Sequence, residues 1–203
     1  MGNSPDFQKA EMLARELRLM QSSDRLALYP EELEFDRDIT IDTFEHYSSV
    51  TGCPIAAITL GGTLQDGYTI VIDKGNGLFS YIILFHERNR GTCRTTWTIL
   101  HEVGHIYMGH MNDGQTEEIE AHWFASEFLI PIPIISELLK RLNTVTIDMI
   151  CSIFPVSVNA GLKKISSMKR MYKWSTYLYE DFSLKYSDSI DEYVNQRNMQ
   201  NMS

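Results

Sequence analysis

The run His101-Glu102-Val103-Gly104-His105 is the feature that most constrains what this chain can fold into, because it predicts a helix with two imidazoles on one face. Residues four apart project from the same side of an α-helix, so His101 and His105 can bind one metal ion together. Glu102 follows His101 directly, and its carboxylate can accept a proton from a water molecule that the metal activates. The pattern therefore predicts a catalytic zinc site, with one zinc ion per chain.

The neighbouring residues indicate that this helix belongs to the core. The segments Trp97 to Leu100 and Ile106 to Met108, on either side of the motif, are largely apolar. A His-Glu-x-x-His pattern that arose by chance would usually lie on a surface helix with polar neighbours. One alternative stays open from the residues alone: His101 and His105 could be hydrogen-bonded histidines of a buried helix that hold no metal.

A catalytic zinc ion needs a third protein ligand and one open coordination position, and His110 is the first candidate for that ligand. Some zinc proteins use the spacing His-x-x-Gly-x-x-His for their second and third histidines. Here Gly109 and His110 follow His105 by four and five residues, so that pattern fails.

The next predicted helix, Glu117 to Leu129, offers three other candidates, Glu118, Glu120 and His122. We expect Glu120 to be the third ligand, because a short loop between antiparallel helices would bring it opposite the histidine pair. Glu117 and Glu118 fit the first turn of the helix instead, where acidic side chains offset the helix dipole.

Hydrophobic periodicity predicts helices before and after a small sheet. Helical spacing of apolar residues occurs within residues 5–51, 95–130 and 134–171. Three short runs rich in aromatic and β-branched residues lie between glycine-containing turns: Ile55 to Leu60, Tyr68 to Ile72 and Leu78 to Phe85. The sequence therefore predicts an α+β fold, mostly helical, with a small, mainly antiparallel three-stranded sheet (residues 55–85) packed beside the zinc-binding helix.

The length of 203 residues fits one domain of ordinary size. We expect residues 1–171 to form a single zinc-binding domain and residues 172–203 to form a C-terminal extension. Aromatic residues between Tyr172 and Tyr186 predict that the first part of this extension packs against the domain. The polar segment Asn195 to Ser203 predicts a frayed tail.

Cysteine usage and the N-terminal residues indicate a cytoplasmic protein. Cys53, Cys93 and Cys151 are odd in number and widely spaced, which favours neither a disulfide framework nor a thiolate zinc site. Residues Met1 to Met20 lack the continuous apolar core of a signal peptide, and no apolar run approaches the length that crosses a bilayer. We therefore expect a cytoplasmic location and no membrane partner.

The net charge of -9 argues against direct binding of nucleic acids. Such a chain repels a phosphate backbone unless its basic residues gather on one face. The one basic cluster, within residues 163–173, fits the solvated face of a helix. No nucleic-acid partner is therefore expected.

Two segments of the sequence resemble the signatures of a known enzyme family. Thr98 to His105 contains the histidine pair, and Glu118 to Pro131 is similar to a Glu-x-Glu-Ala-Asn-x-Phe-Ala-x-Glu-Leu-Leu-x-Pro helix. Both resemble the ImmA/IrrE family of metallopeptidases. Phe154 to Ala160 is similar to the Phe-x-Val-Ser segment of that family, so the resemblance covers roughly Ile55 to Met171.

The resemblance implies a zinc site with His101, His105 and Glu120 as ligands and Glu102 as general base. This chain departs from the family at His122, where the family usually has asparagine. His122 could therefore hydrogen-bond a zinc ligand or compete for the metal.

The roles of three further residues stay open. The family's first glutamate corresponds to Glu118, to which we assign no role from the sequence. Tyr107 and His122 are candidates for stabilising the oxyanion that forms during hydrolysis, although a tyrosine in Tyr107's setting more often packs in a core.

Members of this family typically cleave a helix-turn-helix transcriptional repressor, often one encoded beside them on a prophage, mobile element or stress-response locus. The resemblance therefore implies a zinc metallo-endopeptidase whose protein partner is such a repressor. A substrate loop would lie extended along the strand predicted at Leu78 to Phe85. Two alternatives stay open: a module that binds its partner or a ligand without cleavage, and a toxin-like peptidase of broader specificity.

Overall fold

The computed structural model describes residues 4–59, 66–112, 114–170 and 176–202. In chain order, its helices and strands are α1 (Phe7–Met20), β1 (Asp38–Thr43), α2 (Phe44–Thr51), α3 (Ile55–Ile58), β2 (Gly67–Gly75), β3 (Leu78–Phe85), α4 (Cys93–Met108), α5 (Gln115–Leu129), α6 (Ile132–Leu142), α7 (Ile147–Ile153), α8 (Val158–Arg170), α9 (Tyr179–Lys185) and α10 (Ser187–Met202). The fold is α+β and mostly helical, as the sequence predicts. Among these described helices, none is both long enough and apolar enough to cross a membrane.

The sheet is mixed, with the strand order β1-β3-β2. Strand β1 runs parallel to β3, whereas β2 and β3 form an antiparallel hairpin. The strands predicted at Tyr68 to Ile72 and Leu78 to Phe85 are confirmed. The prediction of a mainly antiparallel sheet is wrong, because β1 takes the third place in the sheet and pairs in parallel.

The segment that begins at Ile55, predicted as the first strand, starts with helix α3 instead. Two alanines, the residue type with the highest helix propensity, form the middle of this helix. Leu60, where the predicted strand ends, lies outside the described residues. Strand β1 carries its own signal, since every residue from Ile39 to Ile41 is β-branched.

Strand β3 lies in the middle of the sheet and is hydrogen-bonded on both sides, with Ile83 and Leu84 fully buried. The prediction that Leu78 to Phe85 offers an exposed edge to a substrate is therefore wrong. The outer strands of the described sheet are β1 and β2, and residues of β2 line a cavity beside α4. An added strand could pair with β2 but not with β3.

Helices α4 and α5 pack closely against each other. A Cβ atom at Gly104 would lie 3.0 Å from the carbonyl oxygen of Ala121 and 3.2 Å from Cβ of Phe124, so glycine permits this approach. Val103, Phe124 and Phe128 are fully buried in the surrounding core. Dense packing of this kind holds the two helices in one register.

A buried ionic network joins α1, α5 and α8. Glu127 accepts a hydrogen bond from Nε of Arg15 at 2.8 Å and another from Nζ of Lys164 at 2.5 Å. Arg15 also pairs with Glu11 at 2.7 Å. The side chains of Arg15 and Glu127 are inaccessible to solvent, so each depends on its charged partners.

Helices α9 and α10 pack onto the same core, where Phe182, Tyr186 and Ile190 are buried. The start of the predicted aromatic segment, residues 172–175, lies outside the described residues. Residues Asn195 to Met202, for which the sequence predicted a frayed tail, form the last turns of α10.

Candidate metal centre

Helix α4 presents His101 and His105 on one face. The helix begins after Thr92, whose hydroxyl accepts a 3.2 Å hydrogen bond from the backbone nitrogen of Thr95. It ends at Met108 and is followed by Gly109, whose φ of 77° is the left-handed conformation that closes many helices. Within this frame, the Nε2 atoms of the two histidines lie 3.1 Å apart, so the structure brings the predicted pair together.

The carboxylate beside this pair belongs to Glu118. Its Oε2 lies 3.3 Å from Nε2 of His101, and its Oε1 lies 3.4 Å from Nε2 of His105. One ligand atom from each of the three residues lies within 4.8 Å of the others, and such a group could hold a metal ion. Glu118 lies one turn before Ala121, so the close contact of Ala121 with α4 carries it to the histidines.

Glu120, the third ligand predicted from the sequence, points elsewhere. Residues two apart on a helix project about 200° from each other, so Glu118 and Glu120 face different sides of α5. Oε2 of Glu120 lies 2.8 Å from Nε2 of His110, and its Oε1 accepts a 2.6 Å hydrogen bond from the backbone nitrogen of Asp6. In the structure, Glu118 and not Glu120 therefore lies beside the histidine pair.

His110 connects Glu120 to the histidine pair. Its Nδ1 lies 3.0 Å from Nδ1 of His105, on the side of that ring away from Nε2. Its side chain is only 8% exposed and that of Glu120 only 11%. His110 thus contacts one histidine of the pair and Glu120 contacts His110, but neither residue joins the group that could hold a metal ion.

Glu102 is held between α4 and the sheet. The hydroxyl of Thr69, on β2, donates a 2.6 Å hydrogen bond to Oε2 of Glu102. Gly67 allows the strand to come this close, because a Cβ there would lie 2.4 Å from Cγ2 of Thr98 and 3.4 Å from Cγ of Glu102. The carboxylate consequently lies at the wall of the cavity that His105 also lines.

Burial keeps the imidazole of His101 neutral. Desolvation, followed by the charges of the neighbouring histidines, of which His122 has the largest effect, lowers the pKa of His101 to about 3. A histidine binds a metal ion in its neutral form. Nδ1 of His101 is buried and has no hydrogen-bond partner among the described residues.

His122 packs against His101, with ring centroids 4.4 Å apart and 46° between the ring planes. Its Nδ1 accepts a 3.4 Å hydrogen bond from Nε1 of Trp97. Desolvation is the main cause that lowers the pKa of His122, so this ring also favours its neutral form. His122 therefore borders the site as a neighbour of His101 and is not a member of the three-residue group.

The structure does not bring Tyr107 to the histidine pair. Its hydroxyl donates a 2.5 Å hydrogen bond to Oδ1 of Asp36, and the guanidinium of Arg37 lies 4.3 Å from its ring centroid. Burial, together with the contact to Asp36, raises the pKa of Tyr107. Tyr107 is thus a packed core residue, and the geometry does not support its role as an oxyanion donor.

Two cavities border the site. The smaller, about 380 Å³, is lined by residues of β2, β3, α4 and α5, among them Glu102, His105 and Glu118. The larger, about 760 Å³, is lined by residues of α1, α4, α5 and α8, among them Phe7, Trp97, His122, Trp123 and Lys163. The larger cavity reaches His122, which packs on His101, but none of the three residues of the group lines it.

A comparison with known families agrees with this geometry. The model of the IrrE N-terminal-like domain, of peptidase family M78, matches residues 52–166, which is more than half of the chain. The protein belongs to the ImmA/IrrE family of metallopeptidases. Neither a curated protein nor a solved structure gives a match. The family match confirms the resemblance seen in the sequence, and this ImmA/IrrE protein is therefore a peptidase.

The matched range of this ImmA/IrrE peptidase includes β2, β3, α4 and α5, which carry the three-residue group and Glu102 and line the smaller cavity. Helix α1 and Asp6, whose backbone holds Glu120, lie outside that range.

Sequence reasoning missed two contributors to the site, Thr69 and the backbone of Asp6, and it considered His110 only as a zinc ligand, not as a partner of His105. A signal existed for His110, because the residue after a glycine cap folds back over the last turn of its helix. The backbone nitrogen of His110 indeed donates a 3.0 Å hydrogen bond to the carbonyl of His105. A strand threonine and a backbone N–H carry no comparable signal, since their partners are distant in sequence.

Proposed function

We propose that this ImmA/IrrE peptidase is a zinc-dependent endopeptidase in which His101, His105 and Glu118 hold the metal and Glu102 is the general base. The observation that carries the proposal is the convergence of two imidazole nitrogens and a carboxylate within 4.8 Å, next to a carboxylate anchored on the sheet. Two histidines and one glutamate are a ligand set of known catalytic zinc sites, which keep one coordination position open.

The three residues fit a zinc ion in protonation state, charge and access. The lowered pKa of His101 leaves its ring neutral, as metal binding requires. Glu118 adds a negative charge, and its side chain is 44% exposed, whereas those of the histidines are 13% and 12% exposed. The more open side of the group therefore lies at Glu118, where solvent and substrate have access.

Bound zinc would polarise the scissile carbonyl and lower the pKa of a water molecule. Glu102 accepts the proton of the attacking water and then delivers it to the departing amide nitrogen. The hydrogen bond from Thr69 supports this role, because it holds the carboxylate in one orientation before the substrate arrives.

We propose that the substrate binds as an extended segment along β2. An outer strand offers backbone N–H and C=O groups to an added strand, and β2 lines the same cavity as Glu102. We propose that polypeptide occupies the smaller cavity on one side of the scissile bond and the larger cavity, which borders His122, on the other. This favours an endopeptidase over an enzyme that trims the ends of chains.

For the substrate itself we propose a helix-turn-helix transcriptional repressor, the class that ImmA/IrrE proteins typically cleave. DNA-binding proteins carry basic surfaces, and a chain with a net charge of -9 attracts them electrostatically. Such a repressor would meet the enzyme in the cytoplasm, which is the location that we propose.

The deciding experiment compares the zinc-loaded wild type with Glu102→Gln against the repressor encoded nearest to its gene. The variant should keep its zinc and lose cleavage by about 100-fold or more, since it lacks the general base. Fragments are identified by mass spectrometry, and Glu87→Gln, a change in an exposed ion pair with Arg90, serves as the matched control.

Two outcomes would reject parts of this proposal. Undiminished inactivation of the repressor by Glu102→Gln would show that binding without proteolysis is the mechanism. Equal cleavage of unrelated proteins by the wild type would indicate a peptidase of broad specificity in place of a repressor-specific enzyme.

A further inference from the structure

A continuous row of polar groups runs from the start of α1 to the histidine pair on α4. The backbone nitrogen of Asp6 lies 2.6 Å from Oε1 of Glu120, and Oε2 of Glu120 lies 2.8 Å from Nε2 of His110. Nδ1 of His110 lies 3.0 Å from Nδ1 of His105. The first of these contacts joins residues that are 114 positions apart in sequence, and the side chains of Glu120, His110 and His105 are largely buried.

With Glu120 ionised and His110 neutral, the chemistry of the groups fixes the direction of every hydrogen bond in this row. A carboxylate can only accept, so Glu120 requires a proton on Nε2 of His110. A neutral imidazole that donates through Nε2 can only accept through Nδ1. Nδ1 of His105 must then carry the proton, and the lone pair of that ring lies on Nε2, the atom that faces Glu118.

We propose that Glu120 and His110 are positioning residues that hold His105 in the tautomer required for binding the metal ion through Nε2. The proposal rests on the proposed function only in naming zinc as that ion. Partners of this kind on the far nitrogen of a ligating histidine fix its tautomer and ring orientation, and raise its basicity.

The other histidine of the pair is consistent with this assignment. Nε2 of His101 lies 3.1 Å from Nε2 of His105, and one of the two nitrogens must donate across that contact. If the lone pair of His105 lies on Nε2, then His101 is the donor while no metal ion is bound, and its Nδ1 carries a lone pair in that state. The buried Nδ1 of His101 has no described partner, and an unpaired lone pair there leaves no N–H group unsatisfied.

We call the hydrogen bonds that link Asp6, Glu120, His110 and His105 the relay. The variant Glu120→Gln tests the direction of these hydrogen bonds with almost no change in the shape of the side chain. The N–H of Asp6 is always a donor, so it keeps the single carbonyl oxygen of the new amide. The NH2 group then faces His110, which must accept through Nε2 and donate through Nδ1. His105 is consequently driven to carry its proton on Nε2, the wrong tautomer for the metal.

We expect Glu120→Gln to lower zinc affinity by about 10- to 100-fold, measured by competition with a chromophoric chelator. In the metal-free full chain, nitrogen NMR of the imidazoles should report the proton of His105 on Nδ1 in the wild type and on Nε2 in Glu120→Gln. Thermal unfolding of the metal-free proteins checks that the variant is folded.

His110→Ala is the second test variant, because it breaks the relay without reversing the direction of its hydrogen bonds. Its loss of zinc affinity should not exceed that of Glu120→Gln, although it removes far more atoms. In the His110→Ala background, adding Glu120→Gln should change zinc affinity by no more than about twofold, since the link between the two sites is gone. A merely structural role predicts the opposite order and no coupling.

The pair of His46 and Asp42 supplies matched controls, since its Nδ1 and Oδ2 atoms lie 2.8 Å apart on an exposed surface. His46→Ala and Asp42→Asn should leave zinc affinity unchanged. The relay is refuted if Glu120→Gln binds zinc as the wild type does, or if His105 keeps its proton on Nδ1 in that variant.

Failure of the relay and failure of the proposed metal site give different results. If the wild type bound no zinc while NMR showed the tautomer change, the relay would stand and the metal assignment would fall. If zinc bound tightly to every variant with no change of tautomer, the metal site would stand and the relay would fall.

Discussion

The hydroxyl of Thr69 donates a 2.6 Å hydrogen bond to Oε2 of Glu102, so a residue of the sheet orients the proposed general base on the neighbouring helix. Thr69→Val keeps the shape of the side chain and removes this donor. Hydrogen bonds to charged groups contribute about 1.5–3 kcal/mol, and about 1.4 kcal/mol corresponds to a factor of ten in rate. We therefore expect kcat for repressor cleavage to fall about tenfold or more, with zinc content unchanged.

Thr69→Ser is the control for this prediction, because it retains the hydroxyl. Steady-state kinetics should show most of the wild-type kcat in the serine variant. A valine variant with wild-type kcat would mean that the hydrogen bond does not contribute to catalysis.

Glu118 and Glu120 are predicted to differ in how strongly they affect metal binding. Glu118→Ala removes one of three ligands and should cause the greater loss of zinc, whereas Glu120→Ala should weaken binding by only about 10- to 100-fold. Metal analysis after dialysis shows which of the two variants loses more zinc. Thermal unfolding shows this independently, since saturation at 100 times Kd stabilises a protein by about 2.7 kcal/mol. A greater loss of zinc in Glu120→Ala than in Glu118→Ala would show that Glu120, the residue expected from the sequence, is the third ligand.

The sequence predicted the elements that depend on local pattern. The motif from His101 to His105, the helices around it and the hairpin of β2 and β3 all follow from spacing and turn residues within short windows. The third strand did not follow, because β1 pairs in parallel with Leu78 to Phe85 across some forty residues of intervening chain. Local propensity at Ile55 cannot report which distant segment completes a sheet.

The choice between Glu118 and Glu120 shows why the site was only partly predictable. Both residues lie on the predicted helix, and its rotation about its own axis decides which one meets the histidines. That rotation is set by the contact of Ala121 with Gly104, which is a property of two packed helices. The small residues were visible in the sequence, but their pairing was not.

Gly67 is predicted to tolerate no side chain while Thr98 is present. A Cβ at this position would lie 2.4 Å from Cγ2 of Thr98, so either β2 or α4 must shift in Gly67→Ala. Overpacking of this kind costs about 1–3 kcal/mol in the free energy of unfolding, which denaturation in urea measures. Activity should fall as well, because the shift moves β2 away from Glu102.

The double variant Gly67→Ala with Thr98→Ser separates this clash from other effects of alanine. Serine lacks the Cγ2 atom, so the double variant should regain part of the lost stability. If it is no more stable than Gly67→Ala, contact with Thr98 is not the cause of the destabilisation.

Glu127 is predicted to be the acidic residue whose loss most destabilises the fold. Its side chain is inaccessible to solvent and accepts hydrogen bonds from Arg15 at 2.8 Å, Lys164 at 2.5 Å and the backbone nitrogen of Ile132 at 3.2 Å. Glu127→Ala would leave two cations in the core without their shared partner. Removal of one member of a buried ionic group costs about 3–5 kcal/mol, because the remaining charges stay desolvated.

Urea denaturation of metal-free Glu127→Ala should therefore show a much lower midpoint with a similar slope, which indicates lost stability rather than a changed unfolded state. Glu32→Ala is the matched comparison, since Glu32 pairs with Arg25 on the surface, where solvent screens the pair. That variant should unfold close to the wild-type midpoint. Equal effects of the two substitutions would mean that the network among α1, α5 and α8 does not stabilise the fold, since burial is the physical difference between them.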